Sequence, residues 1–134
     1  MKNRGLAEDY FLRAGHRLAA LDVLMQRQSF ADVVREAQEI VELCLKALLR
    51  KVGVEVPRIH DVSDILKEES RKLPRELQPM VEQMAAISKM MRRDRELSFY
   101  GTEDLTPSEF YEEPDARRAL EGANQIYSLC KSAF

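Results

Sequence analysis

The sequence predicts an all-α fold: an up-down-up-down four-helix bundle with a short extra helix between the second and third long helices. Three observations predict it. Four long segments repeat apolar residues at steps of three and four, the spacing of one helix face. Five glycines and five prolines in 134 residues are too few for the many turns of a sandwich or barrel. No segment shows a strand pattern, an internal repeat or low complexity.

The first stripe is Ala7, Phe11, Ala14, Leu18, Leu21 and Met25. The second is Phe30, Val34, Ala37, Val41, Cys44 and Leu48, and the link Arg27–Ser29 is short enough to demand an antiparallel return. Ser29 with Asp32 has the form of a capping box for this helix, and Gly53 lies where it should stop, with Pro57 in the following loop. Asp61, with Asp64 three residues on, starts a short helix over roughly 61–70 that carries Val62, Ile65 and Leu66. The third stripe is Leu77, Met80, Met84, Ile87 and Met91. Pro74 suits its first turn, Pro79 allows a later start, and Gly101 ends it. Thr106-Pro107-Ser108-Glu109 reads as N-cap, N1 proline and N3 acid of a helical turn. Pro114 opens the last helix, whose stripe is Ala116, Leu120, Ala123, Tyr127 and Cys130.

The chain is expected to be one domain over residues 1–134, long enough to bury a core without staples. Hydrophobic residues are 45% and charged residues 33%, which fits neither a membrane protein nor a disordered tail. No apolar run approaches the roughly 20 residues of a membrane span, and the start MKNRGLAEDYF has no apolar signal region, so a cytoplasmic location is expected. A net charge of −2 excludes a generally basic nucleic-acid coat; RNA contact would need a local patch. Cys44 and Cys130, among apolar neighbours, read as buried thiols. His16 and His60 sit at no ligand spacing from either, so no metal and no cofactor is expected. His60 reads as packing over the start of the short helix, and His16 as half exposed. Glu42 and Lys46 form an i,i+4 surface pair. Met80, Met84, Met90 and Met91 suggest an adaptable packing face or a dimer seam.

The chemistry concentrates at the end of the third long helix. Lys89, Arg92, Arg93 and Arg95 surround Asp94, and continuing the apolar stepping past Met91 lands on Asp94 and Ser98. A core stripe thus turns polar, and buried polar groups without partners cost about 1–3 kcal/mol each. The arginines are the nearest partners, with Asp94 as polar support. Arg93 and Tyr100 lie two turns apart on one face, about 10 Å. Arg92, Arg93, Arg95, Ser98 and Tyr100 together offer planar cations, a hydroxyl and a phenol, suited to a phosphate and a base. A solvated basic helix end would use the same arginines. Seven acids between Glu103 and Glu121 supply an opposite charge that a second copy can set against this end, with the ends of the third and fourth long helices as the expected contact.

The run Ala37-Gln38-Glu39-Ile40-Val41-Glu42-Leu43-Cys44-Leu45-Lys46-Ala47-Leu48-Leu49, then Gly53, Pro57 and His60-Asp61-Val62, resembles the HEPN domain (higher eukaryotes and prokaryotes nucleotide-binding). Arg95 to Gly101, and Asp115-Ala116 opening the last helix, are similar to a prokaryotic branch of that family. The resemblance spans nearly the whole chain. It implies a compact helical bundle, a homodimer, and a minimal nucleotidyltransferase as partner in a toxin–antitoxin pair. It also implies a nucleotide- or RNA-binding role. Many members are metal-independent ribonucleases with an Arg followed four to six residues later by a His. Here Arg93-Asp94 matches the first half, but the His positions hold Ser98, Phe99 and Tyr100, and no His follows Arg92 or Arg95 either. Serine does not titrate near neutrality and tyrosine has an ordinary pKa of about 10. The expectation is therefore a binding module without the usual His chemistry. The alternatives are a divergent ribonuclease using Arg93 and Tyr100, and a scaffold that only dimerises.

Overall fold

A computed structural model describes residues 2–57, 61–100 and 106–134, with side chains at 5–57, 61–93 and 106–134. Its elements are α1 (Lys2–Gln26), α2 (Phe30–Lys51), α3 (Val62–Glu68), two 3₁₀ turns (Ser70–Lys72 and Arg75–Met80), α4 (Val81–Tyr100), α5 (Pro107–Phe110) and α6 (Glu113–Lys131). No strand occurs among the described residues.

The hub is α2, which packs on α1 most extensively and also on α6 and α4. Its buried set, including Val33, Val34, Ile40, Val41, Leu45, Leu48 and Leu49, is wider than one stripe because three helices cover it. Burial of such aliphatic side chains is worth about 1.5–3 kcal/mol apiece and dominates the folding free energy. α1 and α2 run antiparallel, as the pairs Arg17–Glu36 (2.7 Å) and Lys51–Glu8 (2.6 Å) show. α6 also opposes α1 in direction. The Phe11 ring stacks on Tyr127 (4.7 Å between centroids) and Phe134 (4.5 Å), while Asp22 and Met25 border the same hollow as Glu113 and Arg117.

Gly53, at φ +88°, ends α2 in a conformation that costs a side-chain-bearing residue energy. Asp61 caps α3 by accepting the Ser63 N–H at 2.9 Å. Thr106 and Glu109 complete the expected capping box of α5, and Glu112 with Asp115 makes another at α6. One expectation changes. Ser29 precedes α2 but does not cap it through its side chain: at φ −88°, ψ 68° the hydroxyl donates to Asp32 Oδ2 at 2.7 Å instead. The third long helix starts as α only at Val81, because Pro79 supplies no N–H and the preceding residues wind as 3₁₀. Gly101 lies outside the described residues.

Cys44 and Cys130 are both buried. Burial pushes the Cys44 thiol up to about 12, and burial with the neighbouring Cys44 pushes Cys130 well above its usual value. Met84 and Met91 belong to the core, Met80 is half-buried and Met90 is exposed. His16 is exposed. His60 lies outside the described residues.

Candidate functional site

The half-buried side of α2 carries a polar row, Gln38, Glu42 and Lys46, at successive i,i+4 positions. Gln38 Nε2 donates to Glu42 Oε1 at 3.4 Å, and Lys46 Nζ lies 3.3 Å from Glu42 Oε2. Arg92 reaches this row from α4. Its Nη1 lies 3.7 Å from Glu42 Oε1 and 3.5 Å from Asp61 Oδ1, so one guanidinium sits between two carboxylates of different elements. One turn earlier on α4, Lys89 Nζ lies 3.5 Å from Asp64 Oδ1 of α3. Three helices, α2, α3 and α4, therefore converge through charge at the start of α3.

Burial works to raise the pKa of Asp61. The Ser63 side-chain and backbone hydrogen bonds outweigh it, together with the charges of Arg92 and Lys89, and hold the carboxyl below the usual aspartate range. Arg92 Nη1 is itself buried and makes no hydrogen bond among the described residues; it is held by charge at distances too long for a bond. The Arg92 side chain as a whole is 37% exposed.

Arg93 takes the other direction. Successive helix residues are about 100° apart, so where Arg92 faces α2 and α3, Arg93 borders a recess of about 160 Å³ against α6. Arg118, Asp115, Tyr111 and Met90 line the same recess. Arg118 Nη2 lies 2.7 Å from Asp115 Oδ1, and Asp115 Oδ2 accepts the Glu112 N–H at 2.9 Å, so that carboxylate is already committed. Arg93 is exposed and has no ion-pair partner among the described residues. Next to the recess, the half-exposed Phe110 ring meets Tyr111 edge-on at 4.9 Å.

The structure thus separates two arginines that the sequence grouped in one notch. Asp94, Arg95, Ser98 and Tyr100 lie on α4, but their side chains are outside the described residues. Sequence reasoning missed Glu42, Asp61 and Arg118 as neighbours of the cluster. Glu42 read as a surface partner of Lys46 and Asp61 as a cap; the signal was a carboxylate on the half-buried side of the central helix. Among the described residues no group of three or more His, Cys, Asp or Glu could hold a metal ion, and no helix is long and apolar enough to cross a membrane.

The described helices pack around a central α2, and Lys89 and Arg92 of α4 meet carboxylates of α2 and α3 beside the polar α2 row. A family model described as HEPN domain matches residues 7–133, and the chain belongs to that family. No curated protein and no solved structure matches it.

Proposed function

We propose that this HEPN-domain chain is a nucleotide- or RNA-phosphate-binding module, with Arg93 as its principal phosphate contact. The observation that carries the reading is the exposed Arg93 guanidinium, which has no carboxylate partner among the described residues and shares a recess with Arg118. A planar cation with several donors binds phosphate oxygens without proton transfer. Arg92 serves differently: Glu42 and Asp61 already offset its charge, so it fixes the end of α4 against α2 and α3. Arg95, Ser98 and Tyr100 extend the same helix end, and Phe110 offers a ring for a base. The module acts as a homodimer, on four long helices alternating in direction, with a minimal nucleotidyltransferase partner in a toxin–antitoxin arrangement. Family membership supports this part.

The test is binding of single-stranded RNA and of nucleoside triphosphates by wild type and by Arg93→Ala. Arg93→Ala weakens binding about tenfold, Arg118→Ala less, and the wild-type affinity falls steeply with salt. Equal affinity of wild type and Arg93→Ala, or no binding by either, overturns the reading.

A further inference from the structure

Besides its inward stripe, α1 carries on its outer side an exposed line of two large aliphatic residues with a histidine and an alanine between them. Leu12, His16, Ala19 and Val23 step by four, three and four, and all are exposed. Leu12 is 59% and Val23 56% exposed, the two most exposed of the large hydrophobic residues among those described. Covering both with a partner's surface would remove that aliphatic area from water.

We propose that this face of α1 packs against the same face of a second copy of the chain, antiparallel about a two-fold axis. The stripe is self-complementary in that register. A crossing centred between Arg17 and Leu18 sets Leu12 against Val23 of the second copy and His16 against Ala19, with the small alanine opposite the larger ring. The charges flanking it also match. Asp9 and Arg27 lie on the same flank, and the register brings each against the other across the axis. Arg27 is exposed, still wound in the helical turn through its N–H to Val23 O at 3.0 Å, and has no ion-pair partner among the described residues. Among the described residues Asp9 has only Arg13, at 4.0 Å. No like charges oppose one another in this register. This contact deepens the homodimer part of the proposed function and rests on that part alone; the phosphate site on α4 is independent of it.

Sedimentation over a concentration series on the full chain tests the contact. Leu12→Lys and Val23→Lys each weaken dimerisation at least about tenfold, with helicity unchanged by circular dichroism. Asp9→Arg weakens it, and adding Arg27→Asp restores it. Register is read by mild oxidation. His16→Cys/Ala19→Cys links two chains, because those positions face each other. Leu12→Cys does not link, because its two copies lie about 16 Å apart along the axis, beyond the reach of a disulfide. Cys44 and Cys130 are buried and stay out of the reaction. A dimer indifferent to Leu12→Lys and Val23→Lys overturns the contact while leaving the homodimer standing. So does linkage through Leu12→Cys, whereas a monomeric wild type overturns both.

Discussion

Asp61 shows how one side chain can hold several structural tasks. It caps α3 through the Ser63 N–H, accepts the Ser63 hydroxyl at 2.7 Å, and faces Arg92. Its pKa in the folded chain is lowered, so its charge contributes stability that is present above the unfolded pKa of about 3.9 and is lost as pH falls through the folded value. Asp61→Asn keeps a good capping residue and removes the charge. It is expected to unfold about 0.5–1 kcal/mol more easily at neutral pH. Urea titrations should show that gap closing as pH drops below about 4; a gap that persists in acid would mean the charge is irrelevant. Gly122 is a second residue-scale case. A Cβ there would meet Met91 Cε at 2.5 Å and Ile87 Cγ2 at 3.3 Å, in the seam between α6 and α4. The nearer atom is the free end of a flexible methionine, which can swing aside, so in a denaturant titration Gly122→Ala should shift stability by less than about 1 kcal/mol, the crowding of Ile87 offset by better helix propensity.

At the scale of elements, α1 and α6 are joined by rings. Phe134, Phe11 and Tyr127 stack nearly parallel, with interplanar angles of 3° and 6°, and Lys51 Nζ lies 5.1 Å above the Phe134 ring. Gly15 makes room for this stack, since a Cβ would lie 2.9 Å from the Tyr127 hydroxyl oxygen. Phe11→Ala removes the middle ring and should cost about 3 kcal/mol in a denaturant titration; a loss under about 1 kcal/mol would show that the rings contribute little beyond surface cover. Helix ends were legible in the sequence where the capping residue stands before an extended or proline-set start. Asp61, Thr106 and Pro114 are such cases. Ser29 was not legible, because the tight α1–α2 turn puts Gln28 at φ 59° and rotates the serine away from the first N–H groups of α2. The capping pattern cannot record what the previous turn does to the backbone.

For the molecule as a whole, both thiols report on the core. Cys44 and Cys130 are each 0% exposed and sit on α2 and α6, which pack directly on each other. With Cys44 pushed up to about 12 and Cys130 also raised, neither carries appreciable thiolate at neutral pH. Thiol reagents should label the folded chain more than about 1,000-fold slower than the unfolded chain, at a rate set by global opening. Fast labelling of either cysteine under native conditions would place it in a locally open segment.

The sequence by itself determined the helical class, the four long segments and which residue of each turn is apolar, because periodicity is written along one chain. It also marked the basic end of α4, and it carried the segments that resemble the HEPN family. Only the tertiary structure decided that Arg92 lies between Glu42 and Asp61, that Arg93 turns instead toward Arg118, and that α2 is covered from three sides. Those facts depend on how each helix is rotated about its axis when its side chains interlock with its neighbours. A side chain's partner across that seam is therefore a property of the packing, not of the spacing along the chain.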